Sequence, residues 1–181
     1  MRKEGDTMIR KARPEDLDAV VAVYDEILTA EEAGLSCTGW IRGLYPDRSV
    51  AGKALARDDL FVIEEDGCIL GSGIINHFQG PEYASAPWEH EADPDHVCVL
   101  HTLTVSPRAG GRGLGRQFVA FYEAYAKKNG CRELRIDTNE RNRTARAMYA
   151  KLGYKEICII PTVFNGITNV RMVIMEKYLE E

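Results

Sequence analysis

The sequence predicts an α/β domain of the α+β type, with a mixed, mostly antiparallel sheet of about seven strands flanked by about four helices. Three observations carry this. Apolar residues recur at helical spacing in some stretches and fill short extended runs in others. The dipeptides Asp66-Gly67 and Asn165-Gly166 sit between such runs and mark tight hairpins, because glycine accepts the positive φ these turns need. A strand–helix–strand crossover then interrupts the meander after Val105.

Taken in order, Ile9–Ala12 is a short extended segment. Pro14 suits a first helical turn, Glu15 and Asp16 suit its positive end, and Leu17, Val20, Val21, Tyr24, Ile27 and Leu28 continue at helical spacing. Residues 34–45 are irregular, and a second helix is expected over 48–57. Leu60–Glu64 and Ile69–Asn76 form the first hairpin. Residues 79–96 make a long loop with three prolines, followed by a strand at Val97–Val105. A helix from Leu114 to Lys128 ends at Asn129-Gly130. Glu133–Asp137 is a short strand, and Asn142 caps a helix that Gly153 stops. Tyr154–Val163 and Thr168–Met175 form the closing hairpin. Residues 1–7 read as a flexible extension and 8–181 as one domain.

Composition narrows the function. The longest apolar runs are too short to span a bilayer, and the first residues lack the apolar stretch of a signal peptide. Five cysteines (Cys37, Cys68, Cys98, Cys131, Cys158) are scattered, odd in number and without a C-x-x-C pair. That argues against a disulfide framework or zinc site and for a cytoplasmic protein. The formal charge is −5, but residues 106–155 hold 12 Lys and Arg against 4 acids, so this window carries +8 and the rest −13. One segment is thus suited to an anion, the remainder to a cation. The acidic balance and the lack of a nucleic-acid motif exclude nucleic acid as the expected partner.

The most informative stretch runs from Val105 to Arg116. A strand ends, Gly110, Gly111, Gly113 and Gly115 turn the chain, and a helix begins near Leu114. Such a turn converges main-chain N–H groups at a helix N-terminus, while Arg108, Arg112 and Arg116 add charge: a phosphate cradle. It is not a Walker A loop, since Leu114-Gly115-Arg116 stands where Gly-Lys-Ser/Thr is needed, and Arg116 breaks a Rossmann G-x-G-x-x-G.

Here the sequence resembles the GNAT superfamily, whose coenzyme A signature, Q/R-x-x-G-x-G/A, matches residues 110–115 except that Gly110 replaces Gln or Arg. Asn142, Ala145, Tyr149 and Lys151-Leu152-Gly153-Tyr154 look like a second family pattern, N-x-x-A-x-x-x-Y-x-K-L-G-F/Y. The resemblance implies acetyl-CoA as co-substrate, no metal, and direct transfer of acetyl to a primary amine in a ternary complex. It assigns the cofactor to the backbone of Leu103, Thr104 and Val105, to Arg108, Gly110, Gly111, Arg112, Gly113, Leu114, Gly115 and Arg116, and to Asn142, Ala145 and Tyr149. Tyr149 takes the place of the family's general acid; a phenol of pKa near 10 can protonate a leaving thiolate.

The base is expected at His101, because Leu-His-x-Leu-x-Val looks like the arylalkylamine branch of the family, where a histidine helps remove the amine proton. Strand alternation would put Val99, His101, Leu103 and Val105 on one face. Trp40, Tyr45, Tyr83 and Trp88, with loop acids Glu82, Glu89, Glu91, Asp93 and Asp95, suggest an aromatic, acidic wall for a small cationic amine or amino-acid-like acceptor. Alternatives are a protein N-terminal or lysine acetyltransferase and a non-catalytic acyl-CoA-binding regulatory module. No membrane partner is expected, and a homodimer is left open.

Overall fold

The computed structural model describes residues 7–180. Its seven strands form one sheet in the order β1-β2-β3-β4-β5-β7-β6. They are β1 (Thr7–Lys11), β2 (Leu60–Glu65), β3 (Cys68–Asn76), β4 (Val97–Val105), β5 (Glu133–Asn139), β6 (Lys155–Phe164) and β7 (Ile167–Tyr178). The α-helices are α1 (Leu17–Glu32), α2 (Arg48–Ala56), α3 (Leu114–Lys128) and α4 (Arg143–Lys151). Every neighbouring pair is antiparallel except β4 with β5, which the α3 crossover makes parallel. The architecture is the mixed sheet and helix set that the residue pattern predicts. Of the expected extension, residues 1–6 lie outside the described residues; Thr7 belongs to β1, opposite Glu65, and its hydroxyl donates to Glu65 Oε2 at 3.0 Å.

Side-chain alternation sorts the core into two layers. Leu60, Val62 and Ile74 face α1 and α2, meeting Val20, Tyr24, Ala51 and Ala54. Phe61, Ile63, Ile75 and Leu100 face α3 and α4, meeting Leu114, Phe118, Tyr122 and Tyr149. Each large apolar side chain so buried contributes about 1.5–3 kcal/mol. Hydrogen-bonding termini are met locally: Asn142 Oδ1 accepts from Ala145 N–H at 3.2 Å, capping α4 as its sequence predicts.

Register shifts occur in the β2–β3 and β6–β7 pairs as well, but the one that bears on the cleft is in β4. Gly71 and Ser72 pair with Val105 and Thr104, but Ile74 pairs with His101, so β4 carries one extra residue. Thr102 absorbs it with φ at +50°, a conformation that a β-branched residue rarely takes. Cys98 and Leu100 share the α3 layer with Leu103 and Val105, while Val97 and Val99 pack on the opposite face. The expected single face for Val99, His101, Leu103 and Val105 is therefore wrong, and the bulge is the reason.

A second irregularity lies between β4 and β5. They pair only from Val97↔Glu133 to Leu100↔Ile136. Beyond that point β5 continues against β7 as far as Asn139↔Met172, and β4 continues against β3. The two parallel strands thus part, and the sheet opens into a cleft at their C-terminal ends.

Candidate active site

The turn after β4 is built to expose amides. Ser106 Oγ accepts from Arg108 N–H at 3.2 Å, and Gly110 N–H donates to the Pro107 carbonyl at 3.2 Å. Gly111 and Gly113 then take φ of +76° and +75°, which a side chain would resist. The first backbone bond of α3 runs from Gln117 N–H to Gly113 O, at 3.0 Å. The amides of residues 111–116 make no hydrogen bond with any described residue. A Cβ on Gly111 would meet nothing within 4 Å, so the notch is open. Gly115 differs: a Cβ there would stand 3.2 Å from Met148 Sδ, because α3 and α4 approach closely at this point.

The three arginines are not equivalent. Arg108 pairs with Glu26 at 2.6 Å, and Arg112 pairs with Glu65. Arg116 is exposed and has no ion-pair partner among the described residues, so it is the guanidinium readiest to meet an anion at the turn.

The cleft holds two adjoining cavities. One, of about 460 Å³, runs along Leu103, Thr104 and Val105 to Gly115, Met148 and Tyr149. The other, of about 100 Å³, lies deeper between the parted strands and is lined by Trp40, Tyr45, Thr102, Asp137 and Tyr149. Leu103, Asn142, Ala145 and Tyr149 border both. Trp40 and Tyr45 meet edge to face at 5.7 Å, and Tyr45 meets Phe164 likewise at 4.8 Å, so the inner cavity has an aromatic wall. The Tyr45 hydroxyl is bonded to Thr102 Oγ1.

Among the described residues Asp137 is the one carboxylate that lines the inner cavity. Burial raises its pKa from 3.8 to about 6, although its Oδ2 accepts from the Tyr83 hydroxyl at 2.8 Å. Tyr149 is 5% exposed; burial and then the charge of Asp137 raise its pKa, so its phenol keeps its proton at neutral pH. A neutral acid and a carboxylate that titrates near neutrality thus share one small chamber.

Sequence-predicted residues divide accordingly. Tyr149, Asn142, Ala145, Leu103, Thr104, Val105 and the glycine turn come together around the cleft. Trp40 and Tyr45 line it as expected. His101 is not brought to Tyr149: past the bulge its ring faces a neighbouring cavity beside Lys53, Arg57 and Phe78, with Nε2 3.0 Å from Asn76 Oδ1. Burial lowers its pKa to about 4. Tyr83 lines neither cavity of the cleft and stands behind Asp137 as its hydrogen-bond donor. Trp88 also stands apart, its ring covered by the Arg135 guanidinium at 3.8 Å. The expected acidic wall is absent from the cleft: Glu82 accepts from Thr162 at 2.7 Å, Glu89 pairs with Lys155, and Asp93 caps its own turn. Asp137 was missed because it reads as one polar residue in a strand, although Tyr83 and Tyr45 flank it only in three dimensions.

The model of the acetyltransferase (GNAT) family matches residues 21–154. The chain belongs to the GNAT acetyltransferase family. An uncharacterized N-acetyltransferase, YhfO of Bacillus subtilis, is 35% identical over 97 residues, covering 54% of this chain and 58% of that protein. Aminoglycoside N(6')-acetyltransferase type 1 of Salmonella typhimurium is 26% identical over 100 residues, covering 53% and 61%. The chain thus spans about six-tenths of the length of these curated relatives. Among solved structures, a GNAT-family acetyltransferase from Streptococcus agalactiae superposes with a TM-score of 0.80 at 21% identity, over 99% of each chain. The structure of yncA from Salmonella typhimurium, solved with its cofactor acetyl-CoA, superposes with a TM-score of 0.69 at 18% identity, over 97% of this chain and 95% of that one. These likenesses show a common fold. Among the described residues no helix is long and apolar enough to cross a membrane.

Proposed function

We propose that this GNAT protein is an acetyl-CoA-dependent N-acetyltransferase acting on a primary amine carried by a small cationic molecule. The carrying observation is the pairing of an open amide turn at one end of the cleft with Asp137 and Tyr149 in a small, aromatic-walled cavity at the other. The free amides of residues 111–116 and the Arg116 guanidinium suit a diphosphate. The β4 edge beyond Leu100, which lacks a β5 partner, suits an extended amide-bearing arm. The thioester supplies an acyl group that is already activated.

The rest of the chemistry falls to this chain's own side chains. Asp137 attracts the acceptor ammonium and takes one of its protons, leaving a neutral amine; a base titrating near 6 matches that task at neutral pH. Attack forms the C–N bond and breaks the C–S bond, and Tyr149 donates its phenolic proton to the departing sulfur. The aromatic wall of Trp40 and Tyr45 favours a cation. In this reading His101, expected from sequence to be the base, supports the strand beside Thr102 instead.

The chamber of about 100 Å³ accepts an aminomethyl group and favours a small amine over a protein acceptor. Acetyl-CoA consumption measured against polyamines, aminoglycosides, amino acids and peptides tests this directly. Turnover with small cationic amines is expected; turnover confined to peptides would overturn the acceptor class, and none with any amine would overturn the activity.

A further inference from the structure

Away from the cleft, where β5 begins and β7 ends, a second polar cluster is buried. Glu133 stands opposite Tyr178 and Arg135 opposite Glu176 across the two strands. Glu133 and Glu176 are 1% and 3% exposed. One oxygen of each is satisfied: Glu133 Oε1 accepts from Arg135 Nε at 3.3 Å, and Glu176 Oε1 accepts from Glu89 N–H at 2.7 Å. The other oxygen of each, Oε2, is out of contact with water and has no hydrogen-bond partner among the described residues. Two unmatched carboxylate oxygens inside a protein call for a cation or a proton.

Arg135 supplies one positive charge, but it directs its other donors to Gln79 Oε1 and to the His90 carbonyl, while its face is stacked on Trp88. Burial and the adjacent Glu176 raise the pKa of Glu133, so the empty pair holds a proton whose place a cation would take. His90 stands at the mouth of this cluster. Its ring is stacked on Tyr178 at 4.7 Å and 10°, and its Nδ1 lies 3.9 Å from Glu176 Oε1. One donor atom from each of His90, Glu133 and Glu176 lies within 4.8 Å of the other two. A surface cavity bordered by His90, Glu176 and Tyr178, with Lys155 and Lys177 also on its wall, opens to solvent beside the cluster.

We propose that His90, Glu133 and Glu176 form a site for a divalent cation of the zinc class, which fastens the 79–96 loop to the sheet. One imidazole nitrogen with two carboxylates is a zinc-like donor set, whereas magnesium and calcium prefer six or more oxygens. Bond lengths of about 2.0–2.2 Å require donor separations near 3.3 Å in a tetrahedron. The Glu pair is fixed in neighbouring strands, so His90, whose side chain is 45% exposed, is the ligand that swings inward. The same loop carries Tyr83, the donor to Asp137, so the ion would hold one wall of the acceptor chamber from behind.

The test uses the full chain, stripped with chelator, in a Cys37→Ser/Cys68→Ser background that removes the two exposed thiols. Calorimetric titration with zinc chloride should give one ion per chain, and thermal unfolding should shift upward with zinc. His90→Ala should weaken binding at least about tenfold and erase the thermal shift. Glu133→Gln should do the same, with circular dichroism reporting whether it has folded; if it has not, the exposed His90→Ala decides. Cobalt(II) should show ligand-field bands that His90→Ala alters. No heat of binding, or the same isotherm in His90→Ala as in the parent, overturns the proposal and leaves the two carboxyls sharing a proton.

Discussion

Replacing Asp137 with asparagine separates the charge of this side chain from its shape. The folded-state pKa of about 6 lies above the ordinary 3.8, so ionisation opposes folding. The opposition is absent below about pH 4 and grows as pH rises through about 6. At 1.36 kcal/mol per tenfold change in proton affinity, the gap amounts to about 3 kcal/mol. The carboxylate faces a cavity that water can enter, and screening leaves about 2 kcal/mol. Asparagine carries no such cost and can still accept from the Tyr83 hydroxyl. Asp137→Asn should therefore raise Tm by about 4–8 °C at pH 8, since each kcal/mol moves a domain of this size by about 2–4 °C, and should change it little at pH 4. The same substitution should lower kcat/KM by about a hundredfold and abolish the acidic limb near pH 6. Differential scanning fluorimetry from pH 4 to 8 and a pH–rate profile measure both. A variant no more stable than the parent at pH 8, or a limb that persists at pH 6, would refute the reasoning.

Tyr149→Phe should lower kcat by about tenfold or more; an unaltered kcat reduces Tyr149 to a packing residue. His101→Ala should leave the acidic limb in place, because its ring opens to the neighbouring cavity; a limb that moves returns the proton to His101. Gly113→Val should abolish coenzyme A binding in calorimetry, since it forces a β-branched residue to φ +75° and sets a side chain in the open notch a diphosphate would need; retained affinity would sink the diphosphate assignment. Gly115→Leu should lower Tm as well as affinity, because its side chain must displace Met148; an unchanged Tm would show that α3 and α4 can separate freely.

Much of the scaffold is legible from residue types. Asp66-Gly67 and Asn165-Gly166 mark their hairpins because few other residues take those angles, and Asn142 is a cap wherever the following turn is helical. The glycine turn announces itself by density. The bulge at Thr102 does not, since threonine is among the residues least suited to positive φ, and strict alternation then misplaces His101. Trp88 and Tyr83 carry the composition of a binding wall, but Arg135 and Asp137 from another element engage them first. Pairings between segments about fifty residues apart leave no local trace in the chain. That is also why Asp137 became visible only beside Tyr149.

The parting of β4 from β5 has a further consequence. An unpaired strand edge on the outside of a protein recruits other polypeptides. Here the bare edge of β4 is recessed, roofed by α1 on one side and by α4 on the other, with residues of both helices along the gap. A polypeptide pairing there would have to fit its side chains between the two helices, a demand that the unbranched arm of the proposed co-substrate does not make. The fold thereby keeps the adhesive quality of an open sheet while covering it against other chains.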